Sequence, residues 1–212
     1  PFVHFFPKTS PKGIISVAQL HSKVSSKLIG AIALTALFLF YVPVSGVWTY
    51  IERVGVEANL NSETIGYVLS FATLMGVLGS VSAIFITKIL SEFKAMMLGY
   101  ALFILSMIIL IFLTDLTGFF FGAAIFKYTW TFSVPFILAY IARIDVSGNL
   151  LASSNLIIAG GLSAGPTAAA FILHDTNQNF ENLFLIMGSL VLISQLLISR
   201  VVLATRPLTT VS

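Results

Sequence analysis

Long apolar runs separated by short polar stretches make up most of the chain from residue 28 onward. Each run is close to the roughly 20 residues that an α-helix needs to cross a bilayer. None alternates over about ten residues as a membrane β-barrel strand does. A backbone in lipid must satisfy its own hydrogen bonds, so each run is predicted to be a helix. We place six spans at 28–50, 65–89, 95–114, 116–142, 150–173 and 183–203.

The polar stretches predict short connections at 51–64, 90–94, 115, 143–149 and 174–182. Asn61 or Ser62 is placed to cap the second helix, and the 145–149 stretch is typical of a tight turn leading into the fifth. Residues 1–27 are interpreted as a basic cytoplasmic linker, whose end, 17–27, is compatible with a short surface helix. Residues 28–205 then form the transmembrane domain, and residues 206–212 a cytoplasmic tail.

Composition agrees with an all-α membrane protein. Hydrophobic residues make up 58% of the chain and charged residues 9%, against about 25% charged in an ordinary soluble domain. The chain begins at Pro1 with no initiator Met, so we interpret it as a fragment of a longer protein or a processed product. Residues 1–27 show no signal-peptide pattern. Cysteine is absent, which excludes disulfides and thiolate metal sites.

The basic residues predict the orientation of the spans. If the N-terminal segment is cytoplasmic, Arg53 is alone on the outer side, Lys127 lies within a span, and nine basic residues fall on the inner side: Lys8, Lys12, Lys23, Lys27, Lys88, Lys94, Arg143, Arg200 and Arg206. This asymmetry follows the positive-inside rule. Both termini are therefore predicted to be cytoplasmic, in an inner (plasma) membrane. The lysines and arginines are explained by topology, so we expect no nucleic-acid partner.

Lys127 lies near the middle of the apolar run 116–142, which as a helix is about 40 Å long. A cation at that depth costs about 2.5–3.5 kcal/mol even on the lenient insertion scale, so it must face protein or water. Trp130, Thr131 and Val134 share its helical face, with Pro135 beside them. This pattern predicts a pathway for a polar solute; the alternative is a lysine that snorkels to one interface.

The first span carries a polar stripe on one helical face: Tyr41, Ser45, Trp48 and Glu52. Tyr41 and Ser45 lie deepest, and we interpret them as candidates to line a water-filled cavity. For Trp48 and Glu52 the sequence favours the outer membrane interface, where aromatic residues concentrate.

Prolines and small residues predict how the spans bend and pack. Pro43, Pro135 and Pro166 fall inside spans and form either hinges or fixed bends. Gly161 and Gly165 form a GxxxG pair, which is typical of close helix packing. A second stripe of small residues, assigned the same packing role, lies along the second span: Gly66, Ser70, Thr73 and Gly76.

Enzyme chemistry finds little support in the sequence. His4, His21 and His174 are scattered, and His174 falls on the opposite side of the membrane from the other two, so we predict no metal site. No histidine is placed to activate a serine within a span, and we expect no catalytic residues and no cofactor.

Three motifs resemble the C-terminal half of a major facilitator superfamily transporter of the bacterial efflux type. The run GVWTYIERVG at 46–55 is similar to the outer end of the family's seventh helix. WTFSVPF at 130–136, followed by DVSGN at 145–149, resembles the tenth helix and the next loop. GLSAGP at 161–166 resembles the Gly-x-x-x-Gly-Pro antiporter motif.

The resemblance implies one half of a twelve-helix bundle, built as a 3+3 inverted repeat, with a site at the midplane between two halves. The first, second, fourth and fifth spans would then line the cavity. Substrate-binding candidates are Lys127, Thr131, Tyr41, Ser45 and Trp130. The implied partners are the lipid bilayer, an N-terminal six-helix half and a small-molecule substrate.

Two functions are carried forward from the sequence. The first is secondary active transport of a small solute by alternating access, in which Lys127 contacts an anionic substrate group or takes part in proton coupling. The second is a non-transporting six-helix membrane protein, either an assembly partner or a transporter remnant. The weak match of loop 88–94 to the family's cytoplasmic motif motivates this alternative.

Overall fold

The computed structural model describes residues 17–145 and 148–205, with side chains from residue 27 onward. These residues form six α-helices: α1 Val17–Glu57, α2 Ser62–Ile86, α3 Glu92–Phe112, α4 Leu116–Ile144, α5 Asn149–Asp175 and α6 Phe180–Ala204. All six are long and apolar enough to cross a membrane, so the all-α prediction with six candidate spans is confirmed. Linker residues 1–16, Val146 and Ser147 of the predicted turn, and the tail 206–212 lie outside the described residues.

Helix α1 extends further than the sequence predicted at both ends. It begins at Val17, so 17–27 continues directly into the first span and does not form a separate surface helix. It also runs on to Glu57 because Ile51 and Val54 keep an apolar face buried. The predicted outer loop 51–64 therefore shrinks to 58–61, where Asn59 adopts a left-handed conformation that ends the helix.

Short polar side chains define the starts of the later helices. The Asn61 side chain accepts a hydrogen bond from the Thr64 amide at 2.8 Å, which confirms one of the two predicted caps. Asp115 caps α4 through the Gly118 amide at 2.8 Å. Asp145 accepts from the Leu151 amide at 2.8 Å and so secures the start of α5.

The helices pack in two layers. Helix α1 packs against α5, α6 and α4, while α4 packs against α2 and α3, and α3 also meets α6. These contacts place α2, α4, α1 and α5 side by side in that order, with α3 and α6 behind the central pair. Helices α2 and α5, at the two ends of the row, are the least buried of the six.

Aromatic side chains fill the space between the layers. Phe40 of α1 lies 5.6 Å from Tyr100 and 5.7 Å from Phe103 of α3, measured between ring centroids. Ser194 of α6 donates to the Ala36 carbonyl at 2.7 Å, so its oxygen accepts from the Tyr100 hydroxyl at 2.8 Å. This fully buried network joins α1, α3 and α6.

Three of the four residues of the expected packing stripe on α2 do not pack within the six described helices. Gly76 is buried, but Gly66, Ser70 and Thr73 are exposed, and a Cβ added at Gly66 would meet no atom within 4 Å. At about 100° per residue they lie a quarter-turn or more away from the buried face. That face is formed by Ile65, Val68, Ala72, Gly76, Gly79 and Ala83.

Candidate functional site

Lys127 lies where α4 meets α1 and α2. Its Nζ is 3.9 Å from the ring centroid of Trp130, one turn along α4, and 4.2 Å from the ring centroid of Trp48 on α1. Both distances fall well within the range of cation–π attraction. Tyr41 of α1 completes the group through Trp130. We call these four residues, Tyr41, Trp48, Lys127 and Trp130, the lysine box.

Neighbouring residues hold the box in shape. Trp48 stacks on Phe126 with 6.1 Å between ring centroids, and Phe126 packs in turn on Phe103 at 4.8 Å. On the α2 side, a Cβ added at Gly76 would lie 3.1 Å from Cγ of Lys127, so the glycine leaves room for the lysine stem. The two rings and the stem are thus fixed by three different helices.

Trp130 interacts with Tyr41 through its indole N–H, which is a donor only and is directed to the Tyr41 hydroxyl oxygen. The Tyr41 O–H proton has no acceptor among the described residues. This contact joins α1 to α4 within the box, with Tyr41 buried and Trp130 partly exposed.

The Lys127 ammonium has no carboxylate within 4.0 Å and no hydrogen-bond acceptor among the residues described. The ion pair identified in this part of the chain is remote from it: Arg143 Nη2 lies 2.6 Å from Glu92 Oε2 at the other end of α4. Two cation–π contacts stabilise the charge but leave three N–H donors open. Chemically, the box is suited to receive an anionic group or water.

Two of the predicted substrate-binding residues are used for helix packing. The Ser45 hydroxyl lies 3.0 Å from the Gly161 carbonyl of α5 and 3.0 Å from the Tyr41 carbonyl of its own helix. Thr131 donates to the Gly76 carbonyl of α2. Their single protons are therefore engaged inside the bundle, whereas Lys127, Tyr41 and Trp130 come together in the box.

The residues predicted to bend or pack the helices occupy distinct positions. Gly161 and Gly165 lie against α1, where an added Cβ at Gly161 would lie 2.6 Å from Cβ of Tyr41. Of the prolines, Pro43 is buried, Pro166 is partly buried and Pro135 is exposed, and each lies within an uninterrupted helix. Pro135 provides no N–H for the Thr131 carbonyl.

Trp48 is the box residue that sequence reasoning assigned elsewhere. The sequence placed it at the outer interface, yet its ring faces Lys127 and Phe126. Its position seven residues after Tyr41, on the same helical face, was the available signal. Glu52 and Arg53, in the next turn, are exposed.

Two adjoining cavities lie toward the predicted inner end of the bundle. One of about 280 Å³ is lined by Ser80, Thr87, Glu92 and Pro135. A second of about 670 Å³ shares Thr87 and Glu92 and reaches Arg143. Pro135 is eight residues from Lys127, about 12 Å along α4. The cavities therefore lie apart from the box, and none of the four box residues lines either of them.

No protein-family model matches this sequence, and no curated protein is significantly similar to it.

Proposed function

We propose that this chain is one six-helix half of a secondary active transporter, which moves a small solute across a membrane by alternating access. The observation that carries the proposal is the Lys127 ammonium, which lies between two indole rings without a carboxylate partner in the described part of the bundle. A cation inside a membrane bundle that no local anion neutralises is typical of a solute or ion pathway.

The pairing of helices supports a 3+3 repeat. Exchanging α1, α2 and α3 with α4, α5 and α6 turns the α1–α5 contact into α4–α2, and α1–α6 into α4–α3, and all of these contacts occur. The α3–α6 and α1–α4 contacts are unchanged by the exchange. Successive spans joined by short loops alternate direction, so the two triplets have opposite orientations, as in an inverted repeat.

The exposed surface of α2 supports a protein partner on one side of the bundle. Gly66, Ser70 and Thr73 share one exposed face, while Tyr67, Leu74 and Phe85 lie on another and are 55–69% exposed. Lipid suits the second face, whereas the first combines these small residues with the exposed Val77 and Ile84, a surface that favours close packing against another helix. We propose that the first face and the box are covered by a second six-helix half.

The proposed topology follows the charges. Lys88, Lys94, Arg143 and Arg200 of the described chain lie at one end of the bundle, with Arg53 at the other. We propose that the first end faces the cytoplasm, in an inner (plasma) membrane.

Solute flux into liposomes containing the complete gene product tests this function. A panel of radiolabelled monoanions, cations and neutral solutes would be compared for wild type, Lys127→Gln and the control Lys88→Gln. Lys88 Nζ lies 5.3 Å from the Phe85 ring, so it makes the same kind of contact at a helix end. We expect flux of at least one solute class to fall about tenfold or more in Lys127→Gln alone.

Equal flux in Lys127→Gln and wild type would remove Lys127 from the pathway. The absence of flux for every class in the wild-type protein would favour the second candidate, a non-transporting six-helix membrane protein.

A further inference from the structure

The charges near the box define what it can neutralise. Lys127 is the charged residue of α4 that lies between Asp115 and Arg143, at the two helix ends. The nearest acidic residue along α1, Glu52, is exposed, lies about 6 Å beyond Trp48 along the helix axis, and forms no ion pair with Lys127 within 4.0 Å. A single positive charge is thus available to a solute at this depth.

The walls of the box determine the polarity of the rest of the solute. Apart from the ammonium, they are the rings of Trp48, Trp130 and Tyr41, with Phe126 stacked behind. Most polar atoms nearby are engaged: the Trp130 N–H with Tyr41, the Ser45 hydroxyl with Gly161, and the Thr131 hydroxyl with Gly76. Among the box residues, the Tyr41 O–H is the one further donor beside the ammonium. Few groups remain that would bind a sugar-like or multiply charged molecule.

We infer that the lysine box binds an amphipathic monoanion, a molecule with one negative charge on an apolar body; this rests on the site of the proposed function. One anionic group accepts hydrogen bonds from the ammonium and cancels its charge. A dianion would leave a net negative charge in a region of low dielectric constant, and a cation would meet the ammonium directly. An apolar body replaces water against the aromatic rings.

This chemistry has two sources. A free carboxylate carries one charge on a hydrocarbon body, and so does an anionic phospholipid, through its phosphodiester. The lysine box is open to both because its lining distinguishes charge and polarity rather than the kind of molecule.

Tryptophan fluorescence reads this site directly, because the chain contains two tryptophans and both belong to the box. The complete protein, with any tryptophan outside these 212 residues replaced by phenylalanine, would be titrated in a neutral detergent. The four probes share a six-carbon chain: hexanoate, adipate, hexanol and hexyltrimethylammonium. We expect a saturable change with hexanoate, at an affinity at least about tenfold above that of the other three. Equal or tighter binding of adipate, hexanol or the cation would overturn the inference.

Variants of Lys127 distinguish hexanoate binding at the lysine charge from partition of hexanoate into the detergent micelle. Lys127→Gln should abolish saturable hexanoate binding, Lys127→Arg should retain it, and Lys88→Gln should bind as the wild type does. If Lys127→Gln fails to fold, the four-probe comparison on the wild-type chain and Lys127→Arg still decides the matter. Hexanoate binding that is unchanged in a folded Lys127→Gln would contradict the inference.

Lipid discs distinguish the two sources. The same titration would be made in discs of phosphatidylcholine alone and in discs with added phosphatidylglycerol. If phosphatidylglycerol alone changes the fluorescence and competes with hexanoate, an anionic lipid is the occupant; if hexanoate binds equally in both, the occupant is a free carboxylate. Either result supports the monoanion, and a hexanoate response in neither disc overturns it.

The binding inference and the proposed transport function can be contradicted independently of each other. Hexanoate binding by a protein that moves no solute would keep this inference and remove the proposed function. Flux of cations or neutral solutes, with no hexanoate binding, would keep the proposed function and remove this inference.

Discussion

At the scale of single residues, the decisive quantity is the free energy of an ammonium inside an apolar bundle. Placing a lysine at mid-span costs about 2.5–3.5 kcal/mol on the lenient scale. Each cation–π contact returns about 0.5–2 kcal/mol, depending on desolvation. Trp48 and Trp130 therefore offset part or all of the cost without neutralising the charge. A lysine held in this way is stable when the box is empty and still available to an anion.

Ser45 provides a test of the packing role that the structure gives it. Ser45→Ala removes the hydroxyl that lies 3.0 Å from the Gly161 carbonyl across the α1–α5 contact. We expect a loss of about 0.6 kcal/mol in the free energy of unfolding, the average for interhelical hydrogen bonds in a membrane. Equilibrium unfolding in mixed micelles measures it.

The matched control is Ser189→Ala. The Ser189 hydroxyl is exposed and bonds to the Leu185 carbonyl of its own helix at 2.8 Å, so its removal should leave stability nearly unchanged. Equal losses in both variants would show that the contact between α1 and α5 does not depend on Ser45.

At the scale of helices, close approach of α2 to α4 depends on glycine. A Cβ added at Gly79 would overlap the Tyr128 carbonyl oxygen, which is backbone and cannot turn aside. Tyr128 and Ser82 strengthen the same contact with a hydroxyl–hydroxyl hydrogen bond of 2.6 Å. The second helix is therefore attached to the bundle mainly through one narrow face.

Gly79→Ala should separate these two helices and destabilise the protein by about 1–3 kcal/mol, the usual effect of overpacking. Gly66→Ala, on the open face of the same helix, should be neutral or slightly stabilising because alanine favours helix over glycine. Thermal unfolding of both variants in one detergent compares them. A Gly66→Ala variant as unstable as Gly79→Ala would place the α2–α4 contact on the wrong face.

The helices themselves could be predicted from the sequence, whereas their faces were harder to predict. Hydrophobic runs located all six spans because lipid imposes a length and a composition. The same hydrophobic runs placed the end of α1 too early. Glu52 and Arg53 resembled loop residues, although Ile51 and Val54 continue the buried face of the helix. Small residues are favoured both at helix contacts and at exposed polar faces. The sequence therefore did not show which of these two kinds of position Gly66 and Thr73 occupy.

Only part of the lysine box could be predicted from the sequence. Lys127 stood out because charge is rare in a span, and Trp130 lies one turn away on the same helix. Trp48 lies 79 residues earlier in the chain. The sequence places it on the same face of the first span as Tyr41, but no local pattern shows that this face meets the ammonium. Ser45 and Thr131 have the chemistry of ligand donors, and only the neighbouring backbone carbonyls showed that their protons are engaged.

At the scale of the whole molecule, one side of the central pair α4 and α1 is covered by helices and the other carries no described helix. Helices α3 and α6 pack behind α4 and α1, while α2 and α5 lie at the two ends of the row. Cavities lined by Pro135, Glu92 and Arg143 lie at one end of the bundle, and their lining begins about 12 Å along α4 from Lys127. Alternating access requires that the box open toward each end of the bundle in turn.

Reaction of a cysteine at the box from both sides of the membrane tests this account most directly. These 212 residues contain no cysteine. In the complete protein, Lys127→Cys would therefore introduce the one thiol of this part of the chain that the reagent can label. Membrane-impermeant methanethiosulfonate would be applied to right-side-out and to inside-out vesicles, with Leu74→Cys as the lipid-facing control. We predict that Lys127→Cys reacts from each side and that Leu74→Cys reacts from neither. Reaction of Lys127→Cys from one side only, or from none, would contradict alternating access at this lysine.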